Sequence, residues 1–169
     1  MPSASVYVHR FGSLIRAYQM VGYTPDRDYR FLEINRFLRR THPEIVEQIE
    51  KQIASLGGSV VRDPATDLLW VNREFSVSVV LARCQTTPCG HNRWKIRLDS
   101  SLSPDISVAA RLDPSNQAQL DYYLLPRIDF GPSRISLAEQ NPVEFESYRF
   151  GSLDYLYGMA ARARLRVAA

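Results

Sequence analysis

The sequence predicts an α/β (α+β) fold, in which a mixed central sheet is flanked by helices and preceded by a small N-terminal helical module. Two observations support this prediction. Apolar residues recur at helical spacing over most of residues 3–56. From residue 59 onward, short apolar or alternating runs are separated by turn residues, which is typical of strands. We expect an N-terminal helix-turn-helix-like module over residues 1–24 and an α/β core domain over residues 25–169.

Composition excludes several classes of protein. The chain has 169 residues, enough for one well-buried core, and its 45% hydrophobic and 23% charged residues are ordinary globular usage. No apolar run approaches the roughly 20 residues that cross a bilayer, so we expect a soluble, cytoplasmic protein. The net charge is +3, and Arg greatly outnumbers Lys. Because a guanidinium group offers planar, bidentate donors, this bias favours phosphate or carboxylate partners.

Two short helices are predicted at the N-terminus. Ser3 or Ser5 can cap the first helix, which ends near Gly12. Ser13 can cap the second, which Gly22 ends. Two short helices joined at a Gly-Ser corner form a unit of the helix-turn-helix kind.

Nine residues of this module match a known pattern: Pro2, Ser3, Tyr7, Arg10, Phe11, Gly12, Ser13, Ala17 and Gly22. The stretch resembles the homing-endonuclease-associated repeat, an element that is also attached to recombinases of mobile elements. The resemblance implies a DNA-binding accessory domain, with double-stranded DNA as partner and a recombinase or larger parent chain beside it. Arg10, Ser13 and Arg16 are the implied phosphate contacts. As an alternative, the two arginines coat a solvated face.

A helix is predicted from Asp26 or Asp28 to about Arg40. Spacings of three and four residues place Arg36, Arg39 and Arg40 on one side of it, where we expect either phosphate contacts or a solvated face. Thr41 and Glu44 form a capping-box pattern that predicts a separate second helix. That helix is expected to end at residues 57–58, where two glycines follow each other.

The strands of the core are predicted from alternation and bounding turns. They cover residues 59–62, 67–71, 75–83, 93–97, 105–110, 120–125 and 133–137, and a final helix capped by Ser152 follows. The apolar content of the third strand indicates that it is covered on both faces. Arg93, Lys95 and Arg97 alternate with apolar residues, so we expect them on one face as a cationic, nucleic-acid-binding surface together with Arg83.

The order of these elements resembles a PD-(D/E)XK nuclease domain: a helix ending in Gly57-Gly58, the strand beginning Asp67-Leu68-Leu69, a long apolar strand, and the late run 121–126. The resemblance implies three candidate catalytic residues, Asp67, Glu47 and Arg83, converging on a concave rim. In this family the third strand carries acid-x-Lys, whereas the matching place here reads Leu81-Ala82-Arg83.

The sequence retains the strand order of the nuclease domain but lacks the acid of the acid-x-Lys pattern. This combination favours DNA binding over DNA cleavage, with no cofactor. The first alternative is a metal-dependent endonuclease that uses Mg²⁺ with Asp67 and either Glu47 or Glu74. The second alternative is a protein-interaction module for an acidic partner. Cys84, Cys89 and His91 are interpreted as reduced thiols beside a turn, with an incomplete zinc site as the other interpretation.

Overall fold

A computed structural model describes residues 4–12, 14–22, 30–98, 102–131 and 134–163. The chain divides into two compact units, residues 1–35 and 36–169. The helices are α1 (Ala4–Phe11), α2 (Leu14–Met20), α3 (Arg30–Ser55), α4 (Arg127–Phe130), α5 (Val143–Glu146) and α6 (Asp154–Ala160). The strands are β1 (Val60–Arg62), β2 (Leu69–Val71), β3 (Phe75–Ala82), β4 (Cys84–Thr86), β5 (Asn92–Arg97), β6 (Ile106–Leu112), β7 (Gln119–Pro126), β8 (Arg134–Leu137) and β9 (Arg149–Phe150).

The N-terminal unit contains the two expected short helices, α1 and α2. Gly12 lies between them with a φ of 80°. This left-handed conformation is open to glycine without steric cost, which explains why a glycine stands at the corner. The predicted cap Ser13 lies outside the described residues.

The predicted helix break at Thr41 is wrong, because α3 runs without interruption from Arg30 to Ser55 and contains Pro43. Thr41 is buried, and its hydroxyl has no hydrogen-bond partner among the described residues, so it caps nothing. The apolar stripe that includes Ile49 and Ile53 is fully buried. Tertiary packing of this stripe outweighs the local capping signal and the missing amide of Pro43.

The central sheet is mixed, as predicted. Its strand order is β1-β2-β3-β6-β7-β9. The β3–β6 pair is parallel, and the other pairs are antiparallel. The sequence did not predict the second sheet, in which β4, β5 and β8 pair antiparallel in that order.

Both faces of β3 are covered, which confirms the expectation for this strand. Val77 and Val79 belong to the apolar cluster that contains the buried stripe of α3. Ala82 packs in a second cluster with Trp94 and Ile96 of β5. The second sheet therefore shields the face of the central sheet that α3 leaves uncovered.

The β2–β3 hairpin anchors the end of α6. Asn72 and Arg73 both have positive φ, 53° and 58°, as in a type I′ turn. The Asn72 side chain accepts from the Ser59 amide at 2.8 Å and donates to the Ala160 carbonyl at 2.9 Å. A Cβ on Gly58 would lie 2.7 Å from the same carbonyl, so only glycine fits there. The helix α6 ends at Ala160.

Candidate nucleic-acid interface

A tight turn between β1 and β2 presents Asp67 to solvent. The Ala65 amide and the Thr66 hydroxyl both donate to the Asp63 carboxylate, at 2.9 Å each, and hold the pKa of Asp63 below its usual value. The Asp67 amide donates to the Asp63 carbonyl at 2.8 Å. Asp67 has a φ of 59°, a conformation that Asp tolerates better than most residues. It thus lies in a turn that precedes β2, and the predicted strand begins two residues later.

Asp67 forms an ion pair with Arg62, the last residue of β1. Arg62 Nη2 lies 2.9 Å from Asp67 Oδ1, and Arg62 Nε donates to the same oxygen at 3.1 Å. Both side chains are partly exposed. The carboxylate therefore already has a cationic partner supplied by the neighbouring strand.

Two cavities of about 230 and 520 Å³ both contact Asp67 and His42. Arg97 lines the first cavity, and Arg39 and Arg62 line the second. We call the two cavities together the basic cleft. In this cleft three guanidinium groups accompany one carboxylate, so its charge is positive.

The basic cleft follows an open edge of β3. Among the described residues, β2 pairs only with residues 75–77, which leaves the rest of β3 without a described strand neighbour on that side. His42 Nε2 donates to the Val79 carbonyl at 3.0 Å and so ties α3 to this edge. Ser78 and Ser107 line the first cavity, and the Ser78 hydroxyl donates to that of Ser107 at 3.1 Å.

Neither Glu47 nor Arg83 lines the basic cleft. Glu47 is exposed on α3, and its carboxylate lies 2.7 Å from Lys51 Nζ, which lowers the pKa of Glu47. Arg83 is exposed between β3 and β4 and belongs to neither strand. The convergence of Asp67, Glu47 and Arg83 stays a prediction, while the cleft brings Asp67 together with His42 and other arginines.

The basic cleft does not fit a divalent cation. Asp67 is the one carboxylate among its described lining residues. Glu74, the other candidate acid, forms an ion pair with Arg162. In the part of the chain that the structure describes, no three His, Cys, Asp or Glu residues are grouped to hold a metal ion. Mg²⁺ requires several oxygen ligands, and the guanidinium groups of the cleft oppose its charge.

The two cysteines are free thiols in different surroundings. Cys84 is buried in β4, and Cys89 is exposed in the following turn. Burial raises the pKa of the Cys84 thiol. The described residues around Cys84, Cys89 and His91 do not assemble a zinc site.

The second sheet carries a cationic face, which consists of Arg93, Lys95, Arg97 and Arg134. Alternation in β5 follows the prediction, since Trp94 and Ile96 are buried while Lys95 and Arg97 are exposed. Arg97 pairs directly with Arg134 of β8. Like charges directly opposite each other on a sheet are destabilising. Among the described residues, no carboxylate forms an ion pair with any of the four cations.

Arg83 does not take part in the strand pairing that was expected to extend this face. It precedes β4, in which Gln85 and not Arg83 lies opposite Arg93. The additional cation comes from Arg134 instead. The strand β3 ends at Ala82 and β4 begins at Cys84, so Arg83 lies between the two strands and pairs with neither sheet.

The three arginines predicted on one side of α3 have different surroundings. Arg36 is exposed, and Arg39 lines the basic cleft. Arg40 Nε lies 3.9 Å from a Glu44 carboxylate oxygen, and its guanidinium lies 5.7 Å from the centroid of the Phe37 ring. Of the three, Arg39 therefore has the most direct relation to the cleft.

In the N-terminal unit, Arg10 and Arg16 are exposed on α1 and α2. The Arg10 guanidinium lies 5.7 Å from the centroid of the Phe11 ring. Contacts of Arg10, Ser13 and Arg16 with DNA stay a prediction, with Ser13 outside the described residues.

Sequence reasoning missed His42 and Arg62 in the basic cleft and Arg134 in the cationic face. The capping-box pattern of Thr41 and Glu44 predicted a helix start around His42, whereas His42 lies in the interior of α3. Arg62 lies in the short strand β1, and Arg134 lies in β8, whose partner β5 is distant in sequence. Arg134 could have been recognised as an exposed cation from its place in β8, where exposed and buried residues alternate.

Comparison of folds finds similarity to a solved structure of a bacterial homing endonuclease, with a TM-score of 0.41 and 15% sequence identity. The match covers 72% of this chain and 92% of that chain. No family model matches the sequence, and no curated protein matches it. Within the described residues, no helix has the length and apolar character needed to span a membrane.

Proposed function

We propose that this chain binds duplex DNA through the cationic face of its second sheet. The observation that supports this most is the direct pairing of Arg97 with Arg134, with Lys95 on the same exposed face. Cross-strand neighbours on a sheet stand about 5 Å apart, and residues two apart on one strand about 7 Å. Repulsion between these cations reduces the stability of the free protein, and this repulsion decreases when phosphate groups approach the face.

The proposed role is non-catalytic. The carboxylates that could serve as metal ligands, Asp67, Glu47 and Glu74, each have a cationic partner in Arg62, Lys51 or Arg162. The resemblance of residues 2–22 to the homing-endonuclease-associated repeat supports an accessory role beside a recombinase or a larger parent chain of a mobile element. In that role the N-terminal unit supplies further phosphate contacts through Arg10, Ser13 and Arg16.

The test is the salt dependence of duplex binding by the double variant Lys95→Gln/Arg134→Gln. Each lost phosphate contact reduces the slope of log K against log salt by about 0.9, so the slope should decrease by nearly 2. The matched control, Lys51→Gln/Arg73→Gln, removes the same charge. Lys51 is exposed on α3 and Arg73 lies at the β2–β3 turn, the opposite end of β3 from the chain's entry into the second sheet.

The control should leave the slope within about half a unit of the wild-type value. Absence of binding at low salt, or equal slopes for the two double variants, would reject the cationic face as a DNA-binding surface. Cleavage of plasmid DNA in Mg²⁺ that is lost in Asp67→Ala would reject the non-catalytic role.

A further inference from the structure

The groups that line the basic cleft suit an anion and not a metal ion. Arg39 and Arg97 contact the cleft from α3 and β5, and neither forms an ion pair with a described carboxylate. Asp67 is the one described carboxylate of the lining, and Arg62 neutralises it at 2.9 Å. The charge that remains available to a ligand is therefore positive.

The hydroxyl groups of the cleft provide a further donor. Ser78 donates to Ser107, a buried residue that is only 5% exposed. One hydrogen bond between two hydroxyls uses one of their two protons. The second proton is available to an acceptor in the cavity, which both residues line. The Thr66 hydroxyl already donates to Asp63, so it supports the turn and not the ligand.

The volume suits a compact anion. The first cavity is about 230 Å³, several times the ~30 Å³ share of a water molecule, and it shares the lining residues His42 and Asp67 with the larger cavity that Arg39 lines. An anion in the first cavity meets the Arg97 guanidinium and the hydroxyl pair of Ser78 and Ser107, while Arg39 lines the second cavity. Guanidinium groups bind phosphate oxygens through paired, charge-assisted hydrogen bonds.

We infer that the basic cleft holds a phosphodiester group of bound DNA without a metal ion, with Arg39, Arg97 and the Ser78–Ser107 hydroxyl pair as its contacts. This inference rests on the proposed function for the identity of the ligand. Arg62 has a positioning role, because it neutralises Asp67 and so prevents that carboxylate from repelling the phosphate. His42 has a positioning role as well, since it joins α3 to the open edge of β3.

The test is an NMR titration of the full chain with inorganic phosphate in the presence of EDTA, at constant ionic strength maintained with chloride. We expect saturable shifts of the backbone amides of His42, Ser78 and Ser107. The variant Arg39→Gln/Arg97→Gln should weaken phosphate binding by at least about tenfold, because each charge-assisted contact contributes that order of affinity. Both residues are exposed and unpaired with described carboxylates, so this variant should keep the wild-type spectrum elsewhere.

The control variant Lys51→Gln/Arg73→Gln should bind phosphate as the wild type does. A second titration replaces phosphate with Mg²⁺, for which we expect no saturable shift at these amides. Saturable Mg²⁺ shifts at Thr66 and Asp67, or phosphate shifts that persist unchanged in Arg39→Gln/Arg97→Gln, would overturn the inference. Absence of any phosphate shift would overturn it too.

The two proposals fail in different ways. Phosphate binding in the cleft without duplex binding would retain an anion site and reject the DNA-binding function. Duplex binding that depends on Lys95 and Arg134, without phosphate shifts at the cleft, would retain the function and reject the cleft as a phosphate contact.

Discussion

Arg111 is the residue whose loss we expect to affect stability most. It is 1% exposed in β6 and donates from Nε and Nη2 to the two Asp121 carboxylate oxygens, at 2.7 and 2.6 Å. Its Nη1 donates to the Ala138 carbonyl at 2.7 Å. The guanidinium carbon lies 4.4 Å from the centroid of the Trp94 ring, so this side chain joins the central sheet to the second sheet.

The variant Arg111→Met keeps an apolar side chain in the space of the arginine stem but leaves Asp121 buried with a single cation, Arg149 at 2.8 Å. Removing one partner of a buried ion pair costs about 3–5 kcal/mol. Because Arg149 still compensates part of the charge, we expect the lower end, about 3 kcal/mol. That is a large fraction of the 5–15 kcal/mol typical of a domain's unfolding free energy.

Urea denaturation measures this effect. With an m-value of about 2–3 kcal/mol/M, the midpoint of Arg111→Met should decrease by about 1 M or more. The matched control is Arg127→Met, which removes a half-exposed arginine 3.5 Å from Asp105 and should cost no more than about 1 kcal/mol. An unfolding free energy of Arg111→Met within about 1 kcal/mol of wild type would refute the reasoning, because it would mean that Asp121 is not effectively desolvated.

Three further predictions concern stability. Gly58→Ala should reduce the unfolding free energy by about 1–3 kcal/mol, since its Cβ would meet a carbonyl at 2.7 Å. Gly158→Ala has open space around the new Cβ and should raise the unfolding free energy by up to ~1 kcal/mol. Equal urea midpoints for the two variants would contradict this prediction. Burial raises the pKa of Tyr157 to about 12, and its hydroxyl has no hydrogen-bond partner among the described residues. Tyr157→Phe should therefore raise the melting temperature, through a gain of about 1 kcal/mol in the unfolding free energy. A lower melting temperature would show that the hydroxyl is hydrogen-bonded. The Ser76 amide and hydroxyl hold the pKa of Asp105 below its usual value, so its contribution to stability is present above the unfolded-state pKa and is lost as pH falls through the folded-state pKa. Asp105→Asn should therefore lower the urea midpoint at pH 7, with a difference that shrinks below about pH 4, and a constant difference across that range would contradict the assignment.

Local patterns in the sequence determined the elements of this protein well. The period-two alternation of residues 75–82 identified β3, because side chains of a strand point to opposite sides in turn, and the apolar content of the strand indicated its two covered faces. The same rule placed Lys95 and Arg97 on one exposed face, with Trp94 buried behind them. These features depend on spacings of two to four residues, which the sequence displays directly.

Tertiary packing decided the features that local patterns misjudged. The continuity of α3 through Thr41 and Pro43 follows from burial of its apolar stripe against the central sheet, and burial free energy exceeds that of a capping box. Where local signals and core burial conflict, the chain adopts the structure that removes more apolar surface from water.

Tertiary structure also decided which charges meet. Arg134 lies opposite Arg97 because β8 pairs with β5, although 37 positions separate them in the numbering of the chain. Asp67 meets Arg62 across a turn and shares a cleft with His42 because β2 leaves the edge of β3 open. Strand pairing between distant segments has no signature in local spacing, so the sequence by itself determined which residue types are present, and only the folded chain determined which of them form a site.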